Sequence, residues 1–349
     1  MAVVIRRGLG LPPPAVMKAN HFRLAAFVFS LLAAILFLRT FYALECELDH
    51  RKGLDKHVLK AAFSSGLHQS SECECTRVGA ETLFQEDQIE SAISIRRDWS
   101  KKLPFTIEKL LSGHSKSLGN FSEREFSYGH KRFDLLGPVA PKCERMEMYG
   151  RGDGEKRACG LKRMLLNFPD CTIISLGSKN MWDFEEDIYD KMPNCKIHTF
   201  DCTVSPGSAP PRKISGRTKL HRICIGSKDM TTRDGLVFKS WGSIMTLINA
   251  TAAPLYLKMD IEGYEYQVLQ TIIDGGRLMP MQIAFELHYR TQMPKLSWNL
   301  RSKSSAEIAT FMEYLYHEGG YFLIDRHDNN FCGHCTELLI SRLQCECRK

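Results

Sequence analysis

Leu255-Tyr-Leu-Lys-Met-Asp-Ile-Glu-Gly-Tyr-Glu-Tyr-Gln-Val-Leu-Gln270 reads as a buried strand running straight into chemistry. Residues 255–259 form a short apolar run bounded by Pro254, the pattern of a strand covered on both faces in a parallel sheet. The run ends in Asp260 and Glu262, and Gly263 then permits a tight turn into a helix. Open α/β sheets bind ligands outside the carboxyl ends of their strands, so two acids at that edge are placed for function. The bland alternative is a solvated turn whose acid caps the helix.

Outward from this stretch, strands and helices alternate. Residues 172–176 form a strand ending in Gly177-Ser178, 184–191 a helix, and 196–200 a strand ending in Asp201. A third strand is expected at 222–225, closed by Gly226-Ser227-Lys228-Asp229, and a helix at 241–249 leads into the central strand. After it come a helix at 265–273 and a fifth strand at 282–287, which runs into Glu286-Leu-His288. Residues 321–324 and 337–341 suit a closing antiparallel hairpin. The fold class is therefore α/β, a doubly wound and mainly parallel Rossmann-like sheet.

The strand ends suit an adenosine-type ligand. A glycine after the first strand lets backbone approach the ligand, and an acid ending the second strand, about 20 residues on, is placed for ribose hydroxyls. Gly177 and Asp201 fit these two roles. Leu176-Gly-Ser-Lys-Asn180 lacks the further glycines of a dinucleotide fingerprint, which argues against a cradled pyrophosphate. Upstream, Gly150, Gly152 and Gly154 surround Asp153, either as a backbone-lined turn near a ligand or as a plain hairpin.

Ile173-Ile-Ser-Leu-Gly-Ser178, His198-Thr-Phe-Asp201, Lys258-Met-Asp-Ile-Glu-Gly263 and Ala284-Phe-Glu-Leu-His288, in this order, resemble the FkbM-related S-adenosylmethionine-dependent methyltransferases. Within them the chain is similar to the methyltransferase-like protein 24 group. The resemblance spans roughly residues 143–342 and implies a class I methyltransferase fold with S-adenosylmethionine as cofactor. It implies cofactor contacts at Gly177, Ser178 and Asp201, with Ser227 and Lys228 near the adenine. Many class I methyltransferases carry an acid before the first glycine turn, where this chain has Ser175; Asp153 is the candidate to replace it at the cofactor's amino-acid part.

Adjacent fourth and fifth strands bring Asp260, Glu262, Glu286 and His288 to one rim, where a carboxylate or imidazole can take a proton from an acceptor hydroxyl. The same set can hold a divalent ion, or the carboxylates can be structural; the role assigned is acceptor chemistry, with no metal residue named. The acceptor expected is a small molecule, such as a sugar, methylated on oxygen.

The rest of the chain bears on location. Of 349 residues 44% are hydrophobic and 25% charged, enough for a sizeable core. The net charge is +7, but residues 1–44 carry +5 through Arg6, Arg7, Lys18, Arg23 and Arg39, which leaves +2 elsewhere and little reason to expect a nucleic-acid partner. Residues 24–44 hold an apolar run long enough for a bilayer span, with most positive charge before it, so the expectation is a cytosolic tail at 1–23 and a single-pass signal anchor at 24–44. A cleaved signal peptide is the alternative. A stem at 45–142, with short helices near 81–97 and 103–111, would lead to a lumenal methyltransferase domain at 143–349 in the Golgi or endoplasmic reticulum.

All 13 cysteines follow the apolar run, which fits an oxidising compartment. Cys73, Cys75, Cys143, Cys159, Cys332, Cys335, Cys345 and Cys347 are expected in bridges, and Cys171, Cys195, Cys202 and Cys224 mainly as buried thiols. Phe331-Cys-Gly-His-Cys335 copies the spacing of thiol-disulfide exchangers, but its polar flank favours a bridge closing the loop. Asn120 and Asn249 are glycosylation sequons. The rival readings are a type II membrane glycosyltransferase and a Rossmann-like domain without activity.

Overall fold

The computed structural model describes residues 73–74, 83–112, 135–167, 171–289, 303, 305–328, 335–342 and 346–347. Among these, no helix is long and apolar enough to cross a membrane. The expected anchor at 24–44, the Asn120 sequon and Cys332 lie outside the described residues.

The first described helix is α1 (Glu86–Ser112), followed by a hairpin of β1 (Met146–Tyr149) and β2 (Lys156–Cys159). The alternating part contains β3 (Thr172–Leu176), α2 (Asp183–Lys191), β4 (Lys196–Phe200) and β5 (Thr218–His221). Three short strands come next, β6 (Cys224–Ile225), β7 (Met230–Thr231) and β8 (Val237–Lys239), then α3 (Trp241–Leu247). The chain continues through β9 (Tyr256–Met259), α4 (Glu265–Gly275), β10 (Gln282–His288), α5 (Ser305–His317), β11 (Tyr321–Asp328) and β12 (Cys335–Arg342).

The main sheet has seven strands in the order β11-β12-β10-β9-β3-β4-β5. The run from β10 to β5 is parallel, and β12 is antiparallel to both of its neighbours. The quoted stretch occupies the centre: every residue of β9 is buried, with Tyr256 paired to Ile173 of β3 on one side and Gln282 of β10 on the other. An apolar layer covers each face. On one, α3, α4 and α5 contribute Trp241, Ile244, Val268, Leu269, Ile272, Ile308 and Met312; on the other, α2 and the β1–β2 hairpin contribute Phe184, Ile188, Tyr149 and Ala158. The stripe Val268, Leu269, Ile272 and Ile273 repeats at helical spacing, and each such buried side chain stabilises by about 1.5–3 kcal/mol.

Three expectations need correction. The third parallel strand is β5, four residues before the position expected, while Cys224–Ile225 belongs to a separate three-stranded sheet of order β6-β8-β7. An edge strand needs only partial burial, and Lys219 and His221 hide the Thr-Lys-Leu-His run from an apolar-run criterion. The four cysteines expected as thiols are paired, Cys171 with Cys195 and Cys202 with Cys224; Cys143 pairs with Cys159, and Cys335 is disulfide-bonded as well. Apolar flanks identify a buried sulfur but not its partner, which the parallel register supplies by bringing Cys171 and Cys195 to the starts of β3 and β4.

The two short helices are a single helix, α1, which runs through Pro104. It packs on the domain: Arg96 Nη1 donates to Tyr316 O at 3.0 Å, its guanidinium lies 4.2 Å from the centre of the Phe322 ring, and Trp99 meets Tyr316 edge-on. Ala140 N also donates to Leu323 O of the edge strand β11. This covers an edge that would otherwise offer unpaired backbone groups. The core thus draws on residues before 143.

Candidate active site

The carboxyl ends of β3, β4, β9 and β10 open into one cavity of about 360 Å³, within the range of small-molecule sites. Its floor is the turn after β3. Gly177 holds φ at 77°, and a Cβ there would lie 1.8 Å from Asp260 O, so only glycine fits between the two central strand ends. Lys258 Nζ, on β9, donates to Gly177 O and ties the same two strands together.

Asp201, at the end of β4, organises this turn. Its Oδ2 accepts from Ser178 N (2.9 Å), Ser178 Oγ (3.2 Å) and Lys179 N (2.7 Å), and its Oδ1 from Thr203 N (2.8 Å) and Thr203 Oγ1 (2.7 Å). Burial alone would raise its carboxyl pKa; the bonds from Thr203, Lys179 and Ser178 outweigh it and hold the pKa below the ordinary value. Gly177, Ser178 and Asp201 therefore sit together at the cavity. Ser227 and Lys228 do not join them: both are exposed, and neither lines the cavity. The wall beyond Asp201 is apolar instead, built from Phe200, Ile223, Ile225 and Phe238, with the Cys202–Cys224 disulfide set into it. Asp153 stands in the turn Gly152–Gly154 of the β1–β2 hairpin, whose Arg151 and Gly154 line the cavity.

The opposite end is polar. Asp260, Glu262, Glu286 and His288 all line it, and Lys258 and Glu185 also line the cavity, Glu185 against β4. His288, 3% exposed, has Nδ1 3.0 Å from Glu265 Oε1, while its Nε2 stands 3.6 Å from Glu262 Oε2 and from Glu286 Oε2. Burial by itself would lower the His288 pKa, but Glu265, Glu286 and Asp260 raise it to about 10. Burial, with the charges of Asp260 and Glu337, raises Glu286 to about 8. Asp260 goes the other way: burial opposes ionisation, but Lys258, Lys156 and His288 hold its pKa below the ordinary carboxylate range. Behind the rim, buried Lys156 of β2 pairs with Glu337 of β12 at 2.6 Å.

Glu265 and Glu185 were not singled out by the sequence reading. Glu265 is fully buried; besides facing His288 it accepts from Ile261 N and Gly263 N, both at 3.2 Å, and so fixes the turn that carries Glu262. Its position in the first turn of α4 disguises it, since acids there are ordinary helix caps. Glu185 accepts from Thr199 Oγ1 at 3.0 Å, and burial raises its pKa against the pull of Lys258. An acid in a short amphipathic helix offers no signal that it points inward.

Residues 138–340, more than half of the chain, match the family described as a methyltransferase domain. The chain belongs to that family. Such a domain implies S-adenosylmethionine as methyl donor. No curated protein sequence matches the chain. Among solved structures it is similar to methyltransferase FkbM from Methylobacillus flagellatus KT, at 14% identity and a TM-score of 0.33 over 49% of this chain and 44% of that one. It is similar also to the fibrillarin pre-rRNA processing protein of Methanococcus jannaschii, at 11% identity and a TM-score of 0.35 over 59% of this chain and 86% of that one. An O-methyltransferase family protein from Burkholderia thailandensis follows at 10% identity and a TM-score of 0.29 over 52% of this chain and 56% of that one. The chain thus spans less than half the length of the first of these.

Proposed function

We propose that the chain transfers a methyl group from S-adenosylmethionine to a hydroxyl oxygen of a small acceptor, a sugar or a similar molecule of the secretory pathway, and that within its family it stands nearest the group of methyltransferase-like protein 24. The observation that carries the reading is a single cavity with two chemically different ends. The apolar wall of Ile223, Ile225 and Phe238 suits an adenine, and the glycine turn held by Asp201 lets backbone approach the rest of the cofactor. When bound, S-adenosylmethionine supplies a methyl group on a sulfonium sulfur that an oxygen nucleophile can displace.

The chain's own residues do the rest. Asp201 keeps the Ser178–Lys179 backbone in place; Ser227 and Lys228, both solvent-exposed, take no part in this reading. Glu262 and His288 orient the acceptor hydroxyl, and Glu286, lining the cavity beside them, receives its proton. The family match favours this over the sugar-nucleotide transferase reading. A lumenal location on a single-pass anchor is supported by the apolar run at 24–44 and by three disulfides among the described residues; protease protection of the full-length chain in sealed vesicles tests it. The activity is tested first by calorimetry of S-adenosylmethionine on the purified, oxidised chain. One saturable site is expected, and no heat of binding at millimolar cofactor would sink the proposal.

A further inference from the structure

The Nε2 of His288 stands between two carboxylates, at more than hydrogen-bond distance from each. His288 Nε2 is 3.6 Å from Glu262 Oε2 and 3.6 Å from Glu286 Oε2, beyond the usual N–H···O span of about 2.7–3.2 Å. Lys156–Glu337 closes to 2.6 Å and Arg157–Asp325 to 2.8 Å, whereas the histidine pair His327–Asp325 stops at 3.4 Å. A spacing of this kind suits two donors sharing one ion, because bonds of about 2.0–2.2 Å at an open angle leave roughly 3.5 Å between donor atoms.

Ligand atoms from Asp260, Glu262 and His288 all lie within 4.8 Å of one another. The imidazole is backed by a buried carboxylate, since Nδ1 lies 3.0 Å from Glu265 Oε1, and this is how metal sites orient a histidine ligand. Glu265 is fully buried, and its other oxygen, Oε2, has no hydrogen-bond partner. The protonated His288 ring beside Oε1 supplies the positive charge that this buried carboxylate needs, and an ion bound at Nε2 would take the place of that ring's proton.

We propose that Asp260, Glu262 and His288 form a site for one divalent cation of the Mn²⁺ class, which accepts carboxylate oxygen and imidazole nitrogen together. Glu265 is the positioning residue behind His288, and Glu286 stands beside the site. Cys335, whose sulfur lies against Glu286, is disulfide-bonded and is not a ligand. The site rests on this geometry; its role, binding the acceptor oxygen and easing the loss of its proton to Glu286, rests on the methyltransferase reading above.

The test is a titration of Mn²⁺ into the full-length, oxidised chain without cofactor, followed by the electron paramagnetic resonance signal of free Mn²⁺. One saturable site per chain is expected, weakened at least about tenfold in both His288→Ala and Glu262→Gln. It should be unchanged in Lys239→Ala, in the small sheet. Absence of a saturable site, or one that survives in either variant shown to be folded by circular dichroism, overturns the proposal. Glu262, with 35% of its side chain exposed, decides alone if His288→Ala does not fold. Cofactor calorimetry on the same samples separates the two readings: cofactor bound without Mn²⁺ removes the ion alone, and Mn²⁺ bound without cofactor removes the methyltransferase activity alone.

Discussion

The apolar wall of Phe200, Ile223, Ile225 and Phe238 and the polar rim of Asp260, Glu262, Glu286 and His288 share one cavity but are held in place by different means. The wall follows β4 and β5 and is fastened covalently by Cys202–Cys224, with Asp201 closing five hydrogen bonds next to it. The rim sits on β9 and β10 at the middle of the sheet, where backbone pairing on both sides fixes each strand and electrostatics fixes the side chains. The difference teaches that the wall end is held by connectivity and that Asp201 beside it is saturated with protein contacts. The rim end keeps charged groups close together in a buried setting, an arrangement typical of sites that do chemistry.

That contrast can be broken most directly by a pair of substitutions. His288→Ala should leave cofactor affinity nearly intact and lower turnover by about a hundredfold to ten-thousandfold, the usual contribution of a positioned catalytic group. Asp201→Asn should do the reverse, lowering cofactor affinity by about one to two powers of ten. An amide cannot accept from both the Ser178–Lys179 backbone and Thr203, so one of its faces would turn an N–H toward other N–H donors. Calorimetry beside single-turnover kinetics reads both, and the exchanged pattern would show that the two ends are assigned the wrong way round.

The next effect concerns the covalent fastening. Replacing Cys202 and Cys224 together by serine opens a loop with a sequence separation of 22 and should cost about 3 kcal/mol of stability. Denaturant unfolding measures this. Cofactor affinity should fall with it, while Mn²⁺ binding at the rim should not; a loss at both ends would show that they are mechanically one unit.

The smallest effect is a pH dependence on the wall side. His198, whose Nδ1 is 3.0 Å from His221 Nε2, has its pKa lowered to about 4 by burial, helped by His221, Lys219 and Lys196. A folded pKa below the unfolded value, about 6.5, favours the neutral ring, so its contribution is intact above pH 6.5 and is lost as pH falls toward 4. Between pH 7 and pH 5 the native chain should lose about 1 kcal/mol more stability than His198→Gln, which cannot titrate there. Thermal melts of both at the two pH values check this, and equal losses would place the acid sensitivity elsewhere.

Much of the architecture was legible because burial leaves a mark in one dimension. Apolar runs at 172–176, 196–200, 255–259 and 282–287 end in the residues that reach the cavity, and helical spacing lies between them. Residues whose partners are distant in sequence were not legible. The Thr218–His221 strand is mostly polar because it lies at an edge, and Cys202 and Cys224 differ from buried thiols only in what faces them.

By itself the sequence determined four of the five parallel strands with the helices at 184–191, 241–249 and 265–273, the glycine at the first turn and the gathering of Asp260, Glu262, Glu286 and His288, because each follows from local hydrophobic patterning and strand ends. Only the tertiary structure decided that Asp201 spends its carboxylate on the turn, that Ile223 to Ile225 rather than Ser227 and Lys228 form the wall, and that Glu265 stands behind His288. These depend on which side chains of different elements converge, and hydrogen-bond partners 23 residues apart, as Ser178 and Asp201 are, leave no periodic trace in the chain.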